Sequence, residues 1–129
     1  MQIHEMTHIL GFSQNLYDKF PNPELKWNQD DPFALRNELI TALISTQFDC
    51  PQEFYSILED NNGGFSHWEK QFFGNEFMIA AVSVEPYISN FTLSFLELTG
   101  WYESVNKSFA EPTVWGKKKG CPFLEKSTC

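Results

Sequence analysis

The sequence predicts a mainly α-helical fold with short strands and long loops. Helix signals occur at residues 2–10, 32–48 and 90–98. Between them, residues 21–32 and 60–64 are rich in Pro, Asn, Asp and Gly, which are typical of turns and loops. Of the 129 residues, 42% are hydrophobic and 16% are aromatic. We therefore expect a packed globular core rather than a disordered chain.

Each predicted helix has a recognisable beginning or end. Gly11 ends the first helix and Gly100 ends the third, since glycine accepts the backbone conformation of a helix C-terminus. For the middle helix, Asp31 is a suitable N-cap and Pro32 suits the first helical position. Its apolar residues recur at helical spacing, at Phe33, Leu35, Leu39, Ile40, Leu43, Ile44 and Phe48. Residues 54–58 fit a short strand and a short helix equally.

The charge of the chain excludes some classes of partner. Nine Lys and Arg against 17 Asp and Glu give a net charge of −8. An acidic chain with few basic clusters argues against nucleic acid and anionic membranes as partners. The N-terminal sequence lacks the basic and apolar regions of a signal peptide, so we expect no targeting segment in this chain.

The motif that carries chemistry is H-E-x-x-H at residues 4–8. On a helix, residues four apart project from one face, so the imidazoles of His4 and His8 could bind one Zn²⁺. Glu5 would reach a water on that zinc and act as the general base, and then as the acid that protonates a leaving amine. The alternative is that both histidines are ordinary surface residues of an amphipathic helix. The scarcity of histidine and the turn at Gly11 favour the metal.

A catalytic zinc needs a third protein ligand, and the residues alone leave its identity open. The compact pattern H-E-x-x-H-x-x-G-x-x-H would use position 14, but Gln14 is a poor ligand for zinc. A thermolysin-like arrangement would use a later glutamate, either Glu24 or Glu38. His67 is the remaining histidine, although a lone histidine beside a tryptophan is more often a packed residue than a ligand.

Four ordered motifs resemble the leishmanolysin family of zinc endopeptidases: HEMTHILGF at 4–12, SHWEKQFFGNEFM at 66–78, TLSFLELTGWY at 92–102 and WGKKKGC at 115–121. The resemblance extends over nearly the whole chain and is weakest over residues 13–48. It implies the C-terminal part of an α+β catalytic domain of the metzincin type, with the upper sheet absent.

The resemblance also implies particular roles. His4, His8 and His67 would bind one Zn²⁺, Glu5 would be catalytic, and Met78 would be the Met-turn residue. Position 80 is alanine, so the tyrosine ligand of some other metzincins is absent.

The implied organisation is an active-site helix at 1–11, an insertion at 13–60, a third-ligand loop and Met-turn at 61–82, and a C-terminal helix with loops at 88–129. The N-terminal half of the catalytic domain would be missing. The apolar face of the first helix (Ile3, Met6, Ile9 and Leu10) would then be exposed, and the 13 Phe would belong to a core whose other side is absent.

The cysteines acquire roles through the same resemblance. Cys50 and Cys121 lie where the family forms a disulfide, which would contribute about 4 kcal/mol by loop closure. Cys129 corresponds to a half-cystine whose partner lies outside this chain. The resemblance favours an extracellular or cell-surface setting, with which a disulfide agrees.

The sequence thus predicts a zinc-dependent endopeptidase that acts on proteins or peptides. The alternative is a catalytically inert truncated chain, or a zinc-binding or interaction module that lacks the substrate cleft. A thermolysin-type zinc enzyme ranks behind both.

Overall fold

Helices provide most of the regular structure in the computed structural model, which describes residues 2–62 and 64–125. The α-helices are α1 (Gln2–Leu10), α2 (Glu38–Phe48), α3 (Lys70–Phe73) and α4 (Asn90–Leu98). Short 3-10 helices lie at Gln14–Lys19, Lys107–Phe109 and Cys121–Leu124. The predicted mainly helical class is confirmed, as are the helices at 2–10 and 90–98.

The predicted beginning of the middle helix at residue 32 is wrong, because α2 begins at Glu38. Its N-cap is Asn37 rather than Asp31. The Asn37 side chain accepts hydrogen bonds from the backbone N–H groups of Leu39 and Ile40, which satisfies donors that have no partner within the helix.

Residues 32–36 lie before α2 and pair with another part of the chain instead of forming a helical turn. The backbone N–H of Leu35 donates to the carbonyl of Tyr55 at 2.9 Å, and that of Leu58 donates to the carbonyl of Phe33 at 3.0 Å. Leu35 is thereby fully buried. Residues 54–58, which fitted a strand and a helix equally, form neither: Ser56 and Leu58 take part in isolated bridges, and the N–H of Ile57 donates to the carbonyl of Tyr55 at 2.9 Å.

Elsewhere, segments of the chain pair through isolated β-bridges. Among the described residues these bridges do not extend into a continuous sheet. Leu58 bridges to Trp68 in the antiparallel sense, and Trp68 bridges to Ile79 in the parallel sense. The tryptophan beside His67 therefore joins two other segments of the chain.

Aromatic side chains fill the core between these elements. Trp68 contacts Phe12 edge to face, with ring centroids 4.7 Å apart, and Phe12 contacts Phe95 at 4.8 Å. The buried phenylalanines are Phe12, Phe48, Phe72, Phe73, Phe91 and Phe95, none more than 4% exposed. The expectation that the phenylalanines belong to a core with an absent side is therefore wrong for these residues. Four of them pack around Trp68, whereas Phe48 contacts Phe123 and Phe72 contacts Phe54.

The apolar side of α1 is exposed, as expected. Its outward side chains are exposed to 64%, 57%, 78% and 42%, at Ile3, Met6, Ile9 and Leu10 respectively. Exposed apolar side chains also occur elsewhere, at Val82, Val84, Phe109, Val114 and Trp115. Helices long and apolar enough to span a bilayer do not occur in the described part of the chain.

Candidate metal centre

The C-terminal turn of α1 determines how His8 is held. Gly11 has φ of 154°. The backbone N–H of Phe12 donates to the carbonyl of Thr7 at 3.1 Å. A hydrogen bond of this kind is typical of the C-terminus of a helix. Phe12 enters the core at this point. Its carbonyl accepts a hydrogen bond from Nδ1 of His8 at 2.7 Å.

His4 is held in the same manner by a distant segment. Its Nδ1 donates to the carbonyl of Phe77 at 2.6 Å. In a neutral imidazole that donates from Nδ1, Nε2 has a free lone pair. The two Nε2 atoms face each other at 3.1 Å, a separation close to the roughly 3.3 Å that two imidazole ligands at 2.0–2.1 Å from a tetrahedral zinc would have.

His67 completes a cluster with these two histidines. Its ring centroid lies 5.3 Å from that of His4 and 4.9 Å from that of His8, and one nitrogen of each ring lies within 4.8 Å of the others. Nδ1 of His67 is buried without a hydrogen-bond partner. Burial, together with the nearby His8 and His4, lowers the pKa of His67 to about 4, and Glu5 acts in the opposite direction. The ring is therefore neutral at pH 7, the form that binds metals.

The loop that carries His67 is fixed by the 3-10 helix Gln14–Lys19. The backbone N–H of Gln14 donates to Oγ of Ser66 at 3.0 Å, and the Gln14 side-chain oxygen accepts the N–H of Phe65 at 3.0 Å. The hydroxyl of Tyr17 donates to the carbonyl of Phe65 at 2.7 Å. Sequence reasoning assigned no role to Gln14 beyond its being a poor ligand, and it missed Tyr17.

Met78 is fully buried, and its carbonyl accepts the backbone N–H of Trp68 at 3.1 Å. Two residues earlier, Glu76 is also fully buried. Sequence reasoning missed Glu76, although a single acidic residue within the apolar stretch FFGNEFMIAA was a usable signal.

Glu5 is exposed on α1. It lines a groove of about 480 Å³ together with His4, Phe77 and Ala80. Glu5 and His4 therefore open onto the same groove.

The other ligand candidates lie elsewhere. Glu24 and Glu38 line a separate groove beside Arg36 and Tyr55. Neither belongs to the one group of potential metal ligands that occurs among the described residues. The histidine cluster is thus the set of donors that fits a zinc ion.

The predicted cysteine pair is also present. Cys50, just beyond α2, forms a disulfide with Cys121 at the beginning of the last 3-10 helix, across 71 positions of sequence. The expectation for Cys129 lies outside the described residues.

Three imidazoles beside the glutamate of an H-E-x-x-H helix are an arrangement typical of metallopeptidases. The family model for leishmanolysin matches residues 1–129, and the chain belongs to that family.

Named relatives agree with this assignment. The chain is 44% identical to a leishmanolysin-like peptidase of Caenorhabditis elegans, with 96% of this chain and 25% of that protein covered. It is 36% identical to a leishmanolysin-like peptidase of Drosophila melanogaster, with 96% and 24% covered. It is 29% identical to the ciliated left-right organizer metallopeptidase of Danio rerio, with 98% and 23% covered. The chain therefore spans about a quarter of the length of these relatives.

Proposed function

We propose that this chain carries the zinc centre of an endopeptidase that hydrolyses peptide bonds in proteins. The observation that carries the proposal is the convergence of three imidazoles. In two of them, those of His4 and His8, Nδ1 donates a hydrogen bond to a backbone carbonyl. Carbonyl partners of this kind fix the tautomer and the orientation of metal-binding histidines.

The histidines and Glu5 would have separate roles in peptide hydrolysis. His4, His8 and His67 would hold one Zn²⁺, which when bound lowers the pKa of a water and polarises a carbonyl. Glu5 would take the proton of the attacking water and pass it to the nitrogen of the leaving amine.

Other residues would support this centre. Gly11 would let the chain turn so that the carbonyl of Phe12 reaches His8, and Met78 would be the buried residue of a Met-turn. Together with the long segment between His8 and His67, these features favour the C-terminal part of a metzincin-type domain. Protein or peptide substrates and an extracellular or cell-surface setting belong to the same proposal, to which the disulfide lends support.

Replacement of Glu5 tests the catalytic role. In the full-length protein that contains this segment, Glu5→Gln should lower the rate of casein cleavage by about 10²–10⁴-fold, since the general base is lost. Zinc content should not change, because Glu5 is not a ligand. Glu103→Gln, which alters an exposed glutamate outside the groove, should match the unaltered protein. Undiminished cleavage by Glu5→Gln would contradict the proposal.

Replacement of His67 tests the third ligand. Zinc affinity should fall by more than about a hundredfold in His67→Ala, because losing only a partner of a ligand costs 10–100-fold. Glu24→Ala and Glu38→Ala are matched controls and should bind zinc as the unaltered protein does. If affinity survives in His67→Ala and falls in one of the controls, a glutamate is the third ligand instead.

The second candidate function is a zinc-binding or interaction module without protease activity. The exposed apolar face of α1 favours it, because a surface of this kind is typical of contacts with another polypeptide. A protease assay with added zinc on the purified 129-residue chain separates the two functions. Turnover that a chelator abolishes would reject the inert module for this chain.

A further inference from the structure

Glu76 is a fully buried carboxylate surrounded by hydrogen-bond donors. One oxygen accepts the backbone N–H of Met78 at 2.5 Å. The other accepts the N–H of Ser89 at 3.2 Å, the hydroxyl of Ser89 at 2.9 Å and the hydroxyl of Thr92 at 2.5 Å. Burial raises the pKa of Glu76, and these hydrogen bonds oppose that rise.

The segment that Glu76 fixes is bonded to two of the three histidine-bearing segments. The carbonyl of Phe77 accepts Nδ1 of His4. The carbonyl of Met78 accepts the backbone N–H of Trp68, the residue after His67. The Trp68 indole N–H also donates to the Thr92 hydroxyl at 2.8 Å, and that hydroxyl donates to Glu76. The carboxylate therefore lies at the junction between α4, residues 76–78 and the His67 loop.

We propose that Glu76 is a positioning residue of the metal centre, whose carboxylate fixes residues 76–78 so that Nε2 of His4 and the ring of His67 converge. This inference rests on the proposed zinc site and deepens it. Glu76 would act through Phe77 and Trp68 without touching metal or substrate.

The hydrogen-bond donors around Glu76 explain why a carboxylate is required at this position. A carboxylate accepts hydrogen bonds on both oxygens, whereas an amide accepts on only one and donates from the other position. The hydroxyls of Ser89 and Thr92 could rotate to suit an amide, but the backbone N–H groups of Met78 and Ser89 could not. In Glu76→Gln, either orientation places an NH₂ group against one of these N–H groups, so a buried donor is left unpaired.

The test measures the metal centre itself rather than catalysis alone. Zinc affinity is measured by competition with a chromophoric chelator, and the Co²⁺-substituted protein is examined by visible absorption, both in the full-length protein. We expect Glu76→Gln to lower zinc affinity by about 10–100-fold, as changes around metal ligands do, and to alter the Co²⁺ spectrum. Glu97→Gln is the matched control, because Glu97 also accepts a backbone N–H, that of Val105, but lies at the opposite end of α4.

Unaltered affinity and an unaltered Co²⁺ spectrum in folded Glu76→Gln would overturn the inference. If that variant does not fold, Thr92→Val decides the matter, since it removes one donor to Glu76 and the acceptor of the Trp68 indole while keeping the shape of the side chain. Lower zinc affinity in Thr92→Val would support the inference, and unchanged affinity would overturn it. Absence of zinc binding by the unaltered protein would instead overturn the proposed function, and this inference with it.

Discussion

Gln14 connects the turn after α1 to the loop that carries His67. Through its backbone N–H and its side-chain oxygen it bonds to two consecutive residues, Ser66 and Phe65. Gln14 therefore links the segment that contains His8 to the segment that contains His67, and the hydroxyl of Tyr17 adds a further bond to the carbonyl of Phe65. In the compact pattern H-E-x-x-H-x-x-G-x-x-H this position holds a metal ligand, whereas here Gln14 bonds to the loop that carries the proposed third ligand, His67.

Removal of this side chain should loosen the third histidine. In Gln14→Ala the N–H of Phe65 loses its acceptor, a net loss of about 1 kcal/mol, which corresponds to about a fivefold decrease in zinc affinity where the bond orders the site. Gln14→Glu retains an acceptor oxygen and should bind zinc as the unaltered protein does. Competition with a chelator measures both. Equal affinity in Gln14→Ala and Gln14→Glu would contradict a positioning role for this side chain.

At the scale of elements, local signals were sufficient for α1 and α4 but not for α2. Gly11 and Gly100 end their helices through backbone conformations that the sequence itself specifies. Asp31 and Pro32 form an equally good local signal, yet residues 33–35 pair with residues 55–58 instead. Such pairing depends on a segment about twenty positions away, which helical periodicity does not describe.

The same distinction applies to the candidate site. The common face of His4 and His8 follows from their spacing on one helix. The proximity of His67 depends on hydrogen bonds that join its loop to Gln14 and Tyr17, and on the one that the backbone N–H of Trp68 donates to Met78. No local pattern in the sequence predicts these bonds, so the role of His67 follows only from the family resemblance. Glu76 has a local signal, as the single acidic residue of an apolar stretch, but its partners Ser89 and Thr92 lie 13 and 16 positions away.

At the scale of the whole molecule, the disulfide between Cys50 and Cys121 joins the end of α2 to the last described helix. Backbone hydrogen bonds accompany it, from Lys118 to the carbonyl of Gln47 at 2.8 Å and from Gly120 to that of Phe48 at 2.7 Å. The cross-link closes a loop that contains the His67 segment, α3 and α4. It therefore restrains the unfolded chain over more than half of its length.

Replacing both cysteines should consequently destabilise the fold without removing any proposed ligand. Cys50→Ser with Cys121→Ser should lower the free energy of unfolding by about 4 kcal/mol in the loop-entropy description, a large fraction of the 5–15 kcal/mol typical of a domain. Urea denaturation of the oxidised protein and the double variant measures the difference, and the reduced unaltered protein is the control that should match the variant. Below the unfolding transition the variant should still bind one zinc, because His4, His8 and His67 keep their backbone and core contacts. An unchanged free energy of unfolding would show that the hydrogen bonds at Lys118 and Gly120 hold this junction without the cross-link.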